Sequence, residues 1–205
     1  MLAYALTFDA AKQERVDQMA RYVHHIRLEG IHGPIDIMDV KDIVERTHQL
    51  WTYADQHALR RPQHGEWNPE ASPTALMSIL ARPERELRHL HWSTYDELQF
   101  DYDMLPALRI GGAFSNLEYL DVSTWSGAYG DGGCSDLFIP PGGINTSVSL
   151  PSVRSVKASL DDTTFLILSH WDLPSFVNLD VTAHDFSFAG PGFVRFFEVL
   201  SLIHI

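Results

Sequence analysis

Cysteine, basic residues and long apolar runs are all scarce in this chain, and each shortage disfavours some classes of protein. The single cysteine, Cys134, leaves no internal disulfide to form, which favours a reducing, intracellular compartment, either cytoplasmic or nuclear. Lysine and arginine total 15 against 27 acidic residues, and the net charge of −12 disfavours nucleic acid and anionic membranes as partners. Residues 1–8 are apolar but have no basic flank, so the sequence predicts neither a signal peptide nor a membrane helix.

A six-residue unit recurs along the chain. In residues 117–122, Leu117, Leu120 and Val122 hold the first, fourth and sixth places, and the last two alternate with polar neighbours, as in a strand with one buried face. The unit begins, with one mismatch at Asp55, at residues 23, 50, 87, 117, 153, 176 and 200. Successive units thus begin 23 to 37 residues apart. Repetition at about this interval is typical of leucine-rich repeats, in which each unit buries its apolar face only against its neighbours.

The predicted fold is therefore an α/β leucine-rich-repeat solenoid. We expect a curved parallel sheet of about seven strands, with helices or irregular returns on its outer side. A single domain covers residues 1–205, with a helical lead-in over residues 1–22 and a long Gly- and Pro-rich loop over residues 126–149. Since no polar terminal unit follows the seventh strand, the sequence predicts an uncapped C-terminus.

Three signals place helices between the strands. Asp39 and Asp162 are the expected N-caps of two short helices, because each precedes apolar residues at helical spacing. Pro191 opens a third helix, whose apolar face includes Phe193 and Phe196. The seventh strand is expected to follow that helix at the end of the chain.

Several short runs resemble the F-box/leucine-rich-repeat-like proteins that are abundant in mushroom-forming fungi. The runs that carry the resemblance are residues 20–23, 59–65, 87–90, 116–120, 168–175 and 193–197. The likeness covers roughly residues 10 to 205, and no F-box segment is seen. It implies a non-enzymatic, protein-binding solenoid: the substrate-recognition region of an F-box-type ubiquitin-ligase receptor. A Skp-type adaptor is implied as a partner only if an F-box lies upstream.

The expected binding surface is the concave face of the sheet, formed by the residues around the fourth place of each unit. We predict that a protein partner contacts this face, whereas the plainer interpretation is that these are solvated strand residues. The face comprises His25, Arg27, Glu29, Thr52, Ala54, Gln56, His89, His91, Ser93, Tyr119, Asp121, Ser123, Ser155, Lys157, Ser159, Asn178, Asp180 and Thr182. The contacts singled out are His89, His91, Tyr119, Asp121, Lys157, Asn178 and Asp180.

The sequence also contains residue types that could form a metal site or a hydrolase site. His89 and His91 share a face, but a closed zinc site wants four ligands, so no metal and no cofactor is predicted. A small hydrolase would use loop residues such as Cys134, His170 and Asp172, yet no nucleophile elbow surrounds them, and Ser169 with His170 is better interpreted as a helix C-terminus. A third alternative is a gene fragment without function.

Overall fold

The computed structural model describes residues 10–29, 35–56, 59–60, 73–92, 112–123, 148–183 and 190–203. Its main feature is a six-stranded, all-parallel sheet in an α/β fold. In chain order the strands are β1 (His25–Glu29), β2 (Ile35–Asp36), β3 (Thr52–Gln56), β4 (Leu59–Arg60), β5 (His89–His91), β6 (Tyr119–Val122), β7 (Ser155–Ser159) and β8 (Asn178–Thr182). The large sheet runs β1-β3-β5-β6-β7-β8, and β2 pairs with β4 in a separate parallel ribbon.

Helices alternate with these strands. In chain order they are α1 (Ala10–Ala20), α2 (Ile37–Arg46), α3 (Pro73–Leu80), α4 (Asp162–Leu168) and α5 (Pro191–Ile203). No helix within the described ranges is long and apolar enough to span a membrane.

The strands pair in the register that the repeated unit predicts. Every fourth-place residue lies beside the fourth-place residue of the next strand, so the ladder runs Ile26, Tyr53, Leu90, Leu120, Val156 and Leu179. Because side chains alternate along a strand, this register directs the third and fifth places of all six strands to the opposite face. The order of the strands in the sheet is also their order in the chain.

The entry into each strand repeats at the level of the backbone. At five successive junctions, one second-place carbonyl accepts hydrogen bonds from two consecutive N–H groups of the next unit. The first of these carbonyls is that of His24, which accepts from Trp51 and Thr52 at 2.8 and 3.0 Å. The carbonyls of Trp51, Arg88, Glu118 and Arg154 repeat the arrangement. Sequence repetition therefore produces an identical local geometry.

The core lies between the helices and the fourth-place face of the sheet. Tyr53, Leu90 and Leu120 are fully buried there, and they belong to the same apolar cluster as Val44 of α2 and Phe165 of α4. First-place residues from Leu50 to Phe176 are buried in that cluster too. Burial of this apolar surface is the main force that holds successive units together.

The predicted seventh strand is wrong, because α5 continues through Ile203. Leu200 and Ile203 extend the helical spacing that begins at Phe193 and Phe196, and this period prevails over the strand pattern. Leu200 packs against the core from the helix.

The N-caps of α2 and α4 both precede the predicted residues, by three positions in α2 and by one in α4. Asp36, not Asp39, caps α2, accepting a hydrogen bond from the N–H of Met38 at 2.8 Å. Asp161, not Asp162, caps α4, accepting from the N–H of Thr164 at 2.9 Å. Asp39 and Asp162 lie instead in the first turns of these helices, where a negative charge also suits the helix dipole.

Candidate functional site

The register assembles the predicted binding residues into rows that cross the sheet. We call the surface made by these rows the polar face. The third-place row is His25, Thr52, His89, Tyr119, Ser155 and Asn178, and the fifth-place row is Arg27, Ala54, His91, Asp121, Lys157 and Asp180. Of the seventh-place residues, Glu29, Gln56, Ser159 and Thr182 continue the strands, Ser123 follows β6, and Ser93 lies outside the described residues.

A hydrogen-bonded network around Asp121 occupies the middle of the polar face. Its Oδ2 lies 2.7 Å from Nδ1 of His91 on β5 and 3.8 Å from Nζ of Lys157 on β7. Its Oδ1 accepts from both the N–H and the hydroxyl of Ser123, at 2.9 and 2.6 Å. Because a carboxylate only accepts, Nδ1 of His91 carries the proton in this contact. The network thus links three neighbouring strands.

Asp121 is held as a buried anion. Its side chain is only 7% exposed, and burial alone would raise the pKa of the carboxyl. The hydrogen bonds from His91 and Ser123 outweigh that effect, so the pKa of Asp121 lies below its usual value. A buried carboxylate satisfied in this way fixes the side chains that bind it, including His91.

Tyr119 stands next to this network on the third-place row. Burial and the negative charges of Asp121 and Asp180 raise the pKa of its phenol. The hydroxyl therefore stays protonated at neutral pH and is available as a hydrogen-bond donor. The ring of Tyr119 lies 6.0 Å from that of His89 on the adjacent strand.

The ends of the polar face are more exposed than its centre. At the β1 end, Arg27 forms a 2.7 Å ion pair with Glu29 on its own strand. At the β8 end, Asn178 donates to the hydroxyl of Ser155 at 3.2 Å, and Asp180 is exposed beside Lys157. An exposed ion pair such as that of Arg27 with Glu29 contributes little to stability.

The two histidines singled out for zinc do not act as a pair. His91 directs Nδ1 to Asp121, whereas the ring of His89 lies beside Tyr119. His25 is on β1, separated from β5 by β3. Within the described ranges, no three His, Cys, Asp or Glu side chains are close enough to hold a metal ion.

The residues of the alternative hydrolase have other contacts. Ser169 is the C-cap of α4, as the sequence indicates, and its hydroxyl donates to the carbonyl of Leu166 at 2.7 Å. Asp172 accepts from the hydroxyl of Ser149 at 3.0 Å. Burial, helped by the charge of Arg195, lowers the pKa of His170. Cys134 and nearly all of the predicted loop over residues 126–149 lie outside the described residues.

The sequence does not predict a second cluster, which lies next to the N-terminal ends of β1, β3 and β5. Trp51 stacks on the ring of His24 at 4.3 Å, and the guanidinium of Arg88 lies 5.8 Å from its centre. The indole N–H donates to Glu86 at 3.3 Å. His24, Trp51 and Arg88 are second-place residues of consecutive units, and that common place is the signal by which the sequence would have grouped them.

A polar cleft of about 360 Å³ lies between α1 and α2. Arg46 crosses it: its Nε and Nη2 donate to the carboxylate of Asp42, and its Nη1 donates to Asp17. These charge-assisted bonds raise the pKa of Arg46 and connect the two helices. The charges that line the cleft are therefore paired with each other, and the polar face stays the stronger candidate for binding.

No known protein family, no curated protein and no solved structure matches this chain.

Proposed function

We propose that this chain is a non-enzymatic, protein-binding leucine-rich-repeat solenoid, and that the polar face is its concave binding surface. The carrying observation is the common register of six strands, which aligns their third and fifth places on one face. The repeated strand entry supports the solenoid, because identical junctions between successive units are what a repeat architecture requires.

The composition of the polar face supports protein binding. It combines an aromatic donor, Tyr119, with histidines and with charges of both signs, and it presents them from a rigid sheet. Tyrosine is enriched among the residues that dominate interface energies. Since Asp121 already fixes His91, less side-chain entropy is lost when a partner contacts this centre.

The test is capture of a partner from an extract of the source organism, followed by affinity measurement with that partner purified. We expect Tyr119→Ala to weaken binding about tenfold or more, as truncation of a central interface aromatic does. Tyr22→Ala is the matched control, because Tyr22 is 82% exposed and lies before β1, outside the polar face. Equal affinities of wild type and both variants would rule out this face as the binding surface.

We propose further, on the strength of the resemblance, that the bound protein is a target for ubiquitination and that this chain is the recognition region of an F-box-type ligase receptor. Catalysis would then be done by other subunits, and a Skp-type adaptor would be recruited through an F-box upstream. Reading the full-length transcript tests this directly. An F-box segment in frame supports the proposal, and a message without one removes the ligase role while leaving protein binding intact.

A further inference from the structure

Exposed apolar side chains are concentrated in the first and last elements of the described structure. The large apolar residues with substantial exposure are Met19, Tyr22, Trp51, Val177, Val181, Val194 and Phe197. Six of these seven belong either to α1 and the turn after it or to β8, its preceding residue and α5. Trp51 is the exception, and it is packed between His24 and Arg88. Within the described residues, the two ends therefore carry more exposed apolar surface than the units between them.

The edge strands of the large sheet have matching lengths. β1 and β8 each contain five residues. Inner strands bury their fourth- and sixth-place side chains almost completely, but Leu179 and Leu28 are only partly buried, and Val181 is 36% exposed. Both edges thus resemble an inner strand that has lost one neighbour.

The backbone of β8 is oriented to accept another strand. The N–H of Asn178 and the carbonyl of Thr182 bond towards β7. Because backbone groups alternate in direction along a strand, those of Leu179 and Val181 point away from the sheet. By the same alternation those of His25, Arg27 and Glu29 point away at the β1 edge, since His24 bonds towards β3.

Continuing the observed register places complementary residues together. If β1 of a second copy followed β8 as β8 follows β7, Leu179 would lie beside Ile26 and Val181 beside Leu28. Asp180 would lie beside Arg27, which is exposed and now pairs with Glu29. The fifth-place row would then alternate in charge from Asp121 through Lys157 and Asp180 to Arg27. Antiparallel pairing of two β8 strands about Asp180 would instead oppose two carboxylates, which is unfavourable.

We propose that copies of this chain associate head to tail, with the β1 edge of one copy pairing in parallel with the β8 edge of the next. This contact is heterologous, because it joins two different edges. Each copy in a dimer therefore keeps one unused edge, to which a further copy can add. The proposal can be tested separately from partner capture, because it needs only the purified chain, although Arg27 and Asp180 also lie at the two ends of the polar face.

The test is sedimentation velocity of the purified chain over a wide range of concentration. The average mass is expected to rise continuously with concentration, without a plateau at the dimer. Arg27→Asp and Asp180→Arg each bring like charges together, and each is expected to weaken self-association about tenfold or more. A mixture of the two single variants, or the double variant, restores opposite charges at every junction and is expected to recover association.

Two controls separate this contact from general effects of charge and folding. Arg154→Asp makes the same charge change at an exposed position on an inner unit, and it should leave association unchanged. Val181→Lys places a charge against the apolar part of the junction and should abolish association even if a charge-reversed variant fails to fold. Circular dichroism verifies the fold of each variant. A chain that stays monomeric at every concentration, or an assembly that none of these edge substitutions weakens, would overturn the proposal.

Discussion

At the scale of single residues, two buried charges serve different purposes. Asp121 lies at the centre of the polar face and fixes the side chains of His91 and Ser123 beside it. Arg85 lies in the core, 5% exposed, and donates to the carbonyls of Thr47 and Val44 at the end of α2, at 2.8 Å each. It adds donors to carbonyls at the C-terminal end of the helix, where the carbonyl of Val44 also accepts from the N–H and the hydroxyl of Thr47.

Replacing Asp121 should change how stability depends on pH. The folded pKa of Asp121 lies below its unfolded value, near 3.9, so the ionised carboxylate stabilises the fold above that pH. This contribution is lost as pH falls through the folded pKa. We expect Asp121→Asn to cost about 1–3 kcal/mol at neutral pH and to lose stability less steeply on acidification, measured by urea unfolding at several pH values. Asp180→Asn, at an exposed position of the same row, is the control, and identical pH profiles for wild type and Asp121→Asn would contradict this role.

Replacing Arg85 should destabilise the fold without affecting the polar face. Arg85→Met keeps much of the side-chain volume but removes both hydrogen bonds to the end of α2, so we expect a loss of about 2–3 kcal/mol in urea unfolding. Arg82→Met, on the exposed turn nearby, should cost less than about 0.5 kcal/mol. Equal midpoints for the two variants would mean that Arg85 contributes nothing to holding α2.

At the scale of elements, the close contact between α4 and α5 depends on one glycine. A Cβ on Gly192 of α5 would lie 2.3 Å from the carbonyl oxygen of Asp162 and 2.9 Å from Cβ of Leu166 on α4. The carboxylate of Asp162 accepts from the N–H groups of Gly192 and Phe193, at 2.7 and 3.2 Å. Asp162 therefore caps α5 across space, although it was expected to cap its own helix.

Substituting this glycine should separate the last helix from the core. Gly192→Ala forces α5 away from α4, and we expect a cost of about 3 kcal/mol, because the clash is with backbone rather than with a flexible side chain. Thermal unfolding measures the loss. Val194→Ala, on the exposed side of the same helix, is the matched control and should change the midpoint only slightly. A Gly192→Ala midpoint as high as that of the control would show that α4 and α5 do not pack this closely.

The sequence predicts the elements to the extent that each has one dominant period. Six strands and their register follow from the spacing of residues such as Leu90 and Leu120, because alternation fixes which face is buried. The final unit fits both periods, and only the packing of Leu200 on the core decides for the helix. Strands β2 and β4, of two residues each, are too short to carry a period.

The candidate site also has a part that the sequence predicts and a part that it does not. The rows of the polar face follow from the register and are therefore predictable. The bond from His91 to Asp121 spans 30 residues of chain, and the contact of Trp51 with Glu86 spans 35. Contacts between distant residues depend on rotamers and neighbours that no local pattern encodes.

At the scale of the whole molecule, the chain has a net charge of −12, whereas the charges on the polar face are largely paired. The surrounding field would speed the approach of a basic partner, whereas the hydrogen-bonding rows would select it at close range. Among the residues that the structure describes, exposed apolar side chains lie mainly at the two ends of the sheet, away from the centre of this face.

The most direct test of the central claim is site-specific photo-crosslinking. A photoreactive amino acid replaces Tyr119 on the polar face in one version of the chain, and Glu45, exposed on α2, in another. We expect illumination in extract to join one discrete protein to the chain from position 119 and not from position 45. Crosslinking from position 45 alone, or no discrete product from position 119, would contradict the claim that this face binds a protein.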